Sequence, residues 1–283
     1  MIIGNKEVGS GFPTFIIAEA GVNHNGDLKL AKELIKSAKS AGADCVKFQT
    51  FKAERLLLEN APKADYQNKT TDPNESQIDM LRKLEMDEED YLEIIDCCNE
   101  NEIIFMSTPY NIEDADFLDK LGVDAFKLAS LSAVEPWFAS YVSKKGKPII
   151  LSTGMASLKE VNNTVKSILK TGNKKLILLQ CTTNYPSNHE DANLLAMQTM
   201  HKEFGLEVGY SDHTQDDTAC IASVALGATV IEKHLTLNKT LPGPDQSSSY
   251  EPQEFARLVN KIRDVEKIRG SGQKEPCEIE KKN

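Results

Sequence analysis

Two histidines each close a short polar stretch behind an apolar run, in Gly209-Tyr210-Ser211-Asp212-His213-Thr214 and Ile231-Glu232-Lys233-His234-Leu235-Thr236. On neighbouring strands and at one height, two imidazoles could bind a single borderline divalent ion and leave positions open for substrate oxygens. A lone histidine is more often a hydrogen-bonded core residue, so the pairing carries the ligand reading. His189 and His201 have no such company and read as surface residues.

Lys47 and Lys127 end two further runs, accompanied by Gln49, Thr108, Ser130, Ser152 and Ser211. Two ammonium groups within a ring of hydroxyls suit a small polyanion bearing both phosphate and carboxylate, and phosphoenolpyruvate is such a molecule. Either lysine could instead be a Schiff-base nucleophile or, taken singly, a rim residue snorkelling to water. Glu19 and Asp245 are carboxylates in polar company, able to accept hydrogen bonds from sugar hydroxyls or to move protons. Each alone reads equally well as a turn or capping residue.

The elements that must position these groups follow from a strict alternation. Eight short runs (residues 15–21, 45–50, 103–109, 125–130, 148–154, 175–183, 207–214 and 229–237) are separated by longer amphipathic stretches, among them 28–41, 88–101, 111–121, 158–170 and 215–226. Repeated βα units around a parallel sheet have this pattern. An open doubly wound sheet competes with a (β/α)8 TIM barrel. The polar carboxyl ends favour the barrel: Glu19, Lys47, Gln49, Ser107, Thr108, Lys127, Ser130, Ser152, Thr153, Thr182, Ser211, His213, Lys233 and His234 would then converge on one face. Ahead of the first run, Ile2–Val8 around Gly4-Asn5 reads as a short N-terminal hairpin able to plug the barrel floor. Residues 60–76 read as a long loop. Residues 1–268 form the expected barrel domain, and 269–283, charged and containing Gly270, Gly272 and Pro276, read as a C-terminal linker stub.

A net charge of −10 argues against nucleic acid or an anionic membrane as partner, so an anionic substrate must be held by local cations. No apolar run approaches the roughly 18 residues of a spanning helix, and residues 1–10 lack a signal-peptide core, which points to a cytoplasmic protein. The six cysteines form no C-x-x-C pair and read as reduced and structural.

Taken in order, Glu19–Gly26, Val46–Thr50, Ser107-Thr108-Pro109, Lys127–Ser130, Ser152–Met155, Gln180–Pro186, Gly209–Thr214, Glu232–His234 and Gly243-Pro244-Asp245 resemble the N-acetylneuraminate (sialic acid) synthase family, including the pseudaminic and legionaminic acid synthases. The resemblance implies a metal-dependent condensation of phosphoenolpyruvate with an N-acylated amino sugar such as N-acetylmannosamine. His213 and His234 match metal ligands for a divalent ion, manganese first, with magnesium or cobalt as alternatives. Lys47, Thr108, Lys127, Ser130, Ser152, Thr183 and Ser211 match positions that hold phosphoenolpyruvate; Glu19, Tyr185 and Asp245 match positions facing the acceptor. Gln49 lies in the same stretch as Lys47 and reads as a substrate contact.

Two departures stand out. Where the family carries a carboxylate two residues after the strand-four serine, this chain has Ser132, and Glu135 is the nearest candidate to replace it. The family's antifreeze-like C-terminal domain, which reaches into a partner subunit's active site and implies a homodimer, is absent from this sequence. Two alternative functions follow: a different phosphoenolpyruvate-using synthase of 3-deoxy sugar acids, or a non-catalytic descendant that binds phosphoenolpyruvate or a sugar.

Overall fold

The computed structural model describes residues 1–58, 61–72 and 74–282. Its first residues pair as β1 (Ile2–Ile3) and β2 (Lys6–Glu7). Gly4 takes a φ of 57°, as a type II′ hairpin turn asks of its first central residue. The hairpin sends Ile3 and Val8, both fully buried, in among Phe15, Ile104, Met106 and Ile177. The expected floor plug is therefore present.

Eight parallel strands follow: β3 (Phe15–Gly21), β4 (Cys45–Thr50), β5 (Ile104–Pro109), β6 (Phe126–Leu128), β7 (Ile149–Ser152), β8 (Leu176–Cys181), β9 (Glu207–Asp212) and β10 (Val230–His234). Their order, β5-β4-β3-β10-β9-β8-β7-β6, brings the last strand beside the first and rolls the sheet into a barrel. The end strands β5 and β6 lie side by side, but no ladder joins them among the described residues. The barrel is thus nearly closed, with one seam where β6, only three residues long, gives way to the 3-10 turn Ser130–Val134.

Strand periodicity sorts the side chains. Phe15, Ile17, Cys45, Met106, Ile150 and Leu179 point inward at the amino-terminal end and make an apolar floor. Ile16, Val46, Phe48, Phe126, Leu151 and Ile231 point outward into a second core shared with the helices. The same alternation corrects part of the sequence expectation, because not every polar strand end can face the mouth. Ser107 bonds Thr50 at 2.7 Å, the Thr153 hydroxyl donates to the Leu179 carbonyl at 2.8 Å, and Thr182 donates to Asp191 at 2.7 Å. Lys233 turns outward as well.

The helices form where amphipathic spacing and caps agree. Leu28–Ser40 starts at Asp27, whose carboxylate accepts from the Lys29 and Leu30 amides, and it buries Ala31, Leu34, Ile35 and Ala38 on one face. Residues 60–76, expected as a loop, contain the helix Asp65–Thr70, and another short helix, Ala53–Leu56, precedes them; Glu59, Asn60 and Pro73 lie outside the described residues. The final helix, Pro252–Arg269, packs Phe255, Leu258 and Ile262 against the barrel, and residues 270–281 are exposed. No described helix is long and apolar enough to cross a membrane.

Candidate active site

Above the apolar floor, the inward positions of the same strands turn polar and enclose a cavity of about 70 Å³ at the carboxyl-end mouth. Glu19 from β3, Lys47 from β4, Lys127 from β6 and Glu232 from β10 meet there, each at most 5% exposed. Lys47 Nζ lies 2.6 Å from Glu19 Oε2 and 3.8 Å from Glu232 Oε2, while Lys127 Nζ lies 3.6 Å from Glu232 Oε1. Hydroxyls complete the ring. Lys47 donates to Thr108 at 3.1 Å, Lys127 to Ser152 at 2.7 Å, and Ser211 to Glu232 at 3.1 Å. Ser130 Oγ accepts the Gly154 amide at 3.0 Å. Gln49 donates to Glu19 at 3.2 Å and is itself oriented by the Tyr110 hydroxyl at 3.1 Å.

Burial and the facing charges together set the charge states. It raises Glu19 to about 7, and neighbouring Glu232 adds to the rise against the opposing pull of Lys47. For Lys47 burial favours the neutral amine, but Glu19 and Glu232 outweigh it and hold the ammonium. Lys127 is lowered, burial outweighing Glu232. Glu232 is lowered: burial opposes ionisation, yet Lys127 and Lys47 overcome it. Two buried lysines and two buried carboxylates, one of them poised near neutrality, thus share one small space.

The imidazoles of His213 and His234 stand beside this cluster with ring centres 5.4 Å apart. His213 Nδ1 meets the Thr182 carbonyl at 2.7 Å and so carries a hydrogen, which makes Nε2 the nitrogen that a metal would take in the neutral ring. Such an outer partner is what orients metal-binding histidines. Among the described residues His234 Nδ1 is buried without a hydrogen-bond partner, and burial followed by nearby His213 holds this ring neutral. With metal–nitrogen bonds of about 2.1 Å, two rings sharing an ion have centres roughly 5 Å apart, so the pair fits a divalent ion. Among the described residues no group of three or more His, Cys, Asp or Glu side chains is arranged for a metal. These two nitrogens would leave the remaining positions to water or substrate oxygens. The Tyr185 ring leans on His213 at 4.0 Å between centres and presents its edge to His234.

Of the residues singled out in the sequence, Glu19, Lys47, Gln49, Thr108, Lys127, Ser130, Ser152, Tyr185, Ser211, His213 and His234 line this one cavity. Thr183 and Asp245 do not. Thr183 is exposed at the rim, its hydroxyl against Gly154 and Ser130. Asp245 is buried in the loop after β10, where desolvation raises its carboxyl to about 6 against the pull of His213 and Lys47. Glu135 is also outside the lining: it begins the helix Pro136–Ser143, and Ser132 is buried in the 3-10 turn.

Besides the apolar Ala129, three lining residues were missed: Glu232, Tyr110 and Cys181. Glu232 was legible, since a residue two before an inward His234 must also face inward. Cys181, expected to be merely structural, lines the cavity 3.9 Å from His213 Nδ1; the other four buried cysteines do not line it. Tyr110 lies beyond the end of its strand, where alternation no longer speaks. Larger clefts occur elsewhere, including one of about 470 Å³ between the N-terminal hairpin turn, the start of β5 and residues 121–124, but its lining gathers no comparable set of buried opposite charges.

An eight-stranded barrel with a buried lysine pair, a hydroxyl ring and paired imidazoles at its mouth defines a (β/α)8 barrel protein with a buried charged site. The profile of the NeuB family matches residues 34–274, and the chain belongs to that family. It is 46% identical to an N,N'-diacetyllegionaminic acid synthase of Legionella pneumophila over 99% of this chain and 80% of that protein. A human N-acetylneuraminate-9-phosphate synthase is 38% identical over 96% of this chain and 76% of its own length. The crystal structure of an N-acetylneuraminic acid synthetase from Leptospira borgpetersenii, solved with citrate, superposes with a TM-score of 0.89 at 33% identity, covering 100% of this chain and 94% of that one.

Proposed function

We propose that the chain is a nonulosonic acid synthase that condenses phosphoenolpyruvate with the open-chain aldehyde of an N-acylated amino sugar and releases phosphate. The observation that carries this reading is the buried Lys47–Glu232–Lys127 cluster ringed by Thr108, Ser152 and Ser211. With Glu19 protonated, two ammoniums against one carboxylate leave one net positive charge. A divalent ion at His213 and His234 would add two, together balancing the roughly three negative charges of phosphoenolpyruvate. When bound, such an ion supplies Lewis-acid polarisation of the aldehyde oxygen.

The chain's own groups do the rest. Lys47 and Lys127 hold the anion and keep its carbon 3 facing the acceptor side, where Tyr185 and the buried Asp245 stand. As carbon 3 bonds to the aldehyde carbon, Glu19, poised near neutrality, donates its proton to the oxygen that gains charge. The carboxylate so formed can take a proton from the water that adds at carbon 2, and phosphate then leaves by cleavage of its bond to that carbon. This assigns to Glu19 the proton work that Ser132 cannot do and from which Glu135 is removed.

Phosphate release from phosphoenolpyruvate, measured against N-acetylmannosamine, its 6-phosphate and a diacetamido hexose with and without manganese, tests the reading. The diacetamido hexose is the first choice, because relatives 46% and 47% identical are N,N'-diacetyllegionaminic acid synthases. We expect acceptor-dependent release that chelation abolishes, with no adduct trapped by borohydride. Binding of phosphoenolpyruvate without release against any acceptor would instead identify a non-catalytic binding protein.

A further inference from the structure

On β9 and β10 the residues just before the two histidines face away from the cavity, into the layer beneath the helix Thr218–Ala225. There Asp212 and Lys233, Cα partners across the two strands, form an ion pair of 2.6 Å with side-chain exposures of 0% and 1%. We infer that this pair is a positioning device for His213 and His234, an inference that rests on reading those two as metal ligands.

The geometry is specific. Asp212 Oδ1 accepts the Thr214 amide at 2.9 Å, and Oδ2 accepts the Thr214 hydroxyl at 3.1 Å and the Cys220 thiol at 3.2 Å. Lys233 Nζ donates to the Thr214 carbonyl. The backbone on both sides of His213 is therefore gripped by one carboxylate and one ammonium, and that ammonium belongs to the residue preceding His234. The Tyr250 ring lies 4.5 Å below the ammonium, and the Tyr250 amide donates to the His234 carbonyl at 2.8 Å. Ser187 closes the other side, its amide on the His213 carbonyl at 2.8 Å.

Stability alone does not account for such a pair. Removing two charges from water costs several kcal/mol per ion, and well-packed apolar replacements are often neutral or stabilising. What the pair adds is direction: short bonds in a dry layer permit one arrangement of residues 212–214 against residue 233. The imidazoles project from those residues, and metal ligation tolerates only about 0.2 Å of misplacement. Without the clamp, His213 would keep its place in sequence and lose its aim.

The test measures manganese ion alone, by the loss of its free-ion electron paramagnetic signal, on the whole chain. Asp212→Asn should weaken manganese binding about 10–100-fold, the usual effect of removing a partner that orients a ligand. Because that change also strands a buried ammonium, the decisive variant is Asp212→Asn with Lys233→Met. It should melt no lower than the wild type and still bind manganese at least about 10-fold more weakly. A merely structural pair predicts recovery of both, and wild-type affinity in the double variant overturns the inference. His213→Ala serves as control. If it binds manganese as the wild type does, or if the wild type binds none, the ligand reading fails. The crystal structure of the double variant then decides the positioning claim on its own: ring centres still 5.4 Å apart would overturn it.

Discussion

Glu19 shows how much a single residue's role depends on what surrounds it. In sequence it is a carboxylate before a turn; in the fold it is a buried group raised to about 7 beside Lys47. Because the protonated form is the donor, kcat/KM of the wild type should fall as pH rises through about 7. Glu19→Gln should lose roughly 10²–10⁴-fold in turnover and flatten that limb of the profile. Glu135→Gln, altering a carboxylate outside the cavity, should leave turnover within about twofold of wild type. A large loss there would return the base to Glu135 and remove the role given to Glu19. Period-two alternation makes Glu232 readable beforehand, and neglect of it aims four side chains, Ser107, Thr153, Thr182 and Lys233, at a mouth they do not face.

Strands and their glycines fix the spacing within which those residues work. Gly209 on β9 sits where a Cβ would collide with the Val230 carbonyl and the Leu179 side chain, so β9 can lie this close to β10 only without a side chain there. Gly209→Ala should destabilise by about 3 kcal/mol or more, the upper end of overpacking costs, and lower Tm accordingly. Gly154 behaves differently. An added methyl would press on the hydroxyl of Ser130, which lines the cavity, and on that of Thr183 at its rim. Gly154→Ala should therefore weaken phosphoenolpyruvate binding, measured by calorimetry, far more than it lowers Tm; the reverse pattern would separate these hydroxyls from the anion. Apolar spacing announced the helix Leu28–Ser40 in advance. The short helix Asp65–Thr70 carried no such periodicity and was legible only as loop, while Ala53–Leu56 fell in no expected element.

Across the whole molecule, buried carboxylates couple the site to stability. Asp245 has its ordinary carboxyl value of 3.8 raised to about 6 by desolvation. The folded chain thus binds this proton more tightly than the unfolded chain, and its contribution is fully present below about pH 4. It is lost as pH rises towards 6, leaving a cost of roughly 3 kcal/mol above that. In metal-free protein, Asp245→Asn should accordingly raise Tm by several degrees at pH 7.5 and by almost nothing at pH 4. Equal shifts at both values would mean that the carboxyl is solvated in the folded state.

The architecture and most of the site were written locally. Alternating apolar runs and amphipathic stretches require parallel βα units, and residues at the carboxyl ends of such strands must meet once the sheet rolls up. For that reason Lys47, Lys127, His213 and His234 could be assigned to one place with no coordinates. What the sequence could not contain is the result of long-range contact. The seam between β5 and β6, Glu135 standing outside the mouth, and Thr183 and Asp245 outside the cavity lining each depend on where a strand stops and which loop covers it. The shift of Glu19 to about 7 depends on how far water is excluded around two lysines brought from β4 and β6. Charge state is a property of the assembled low-dielectric interior, and only the tertiary structure creates that interior.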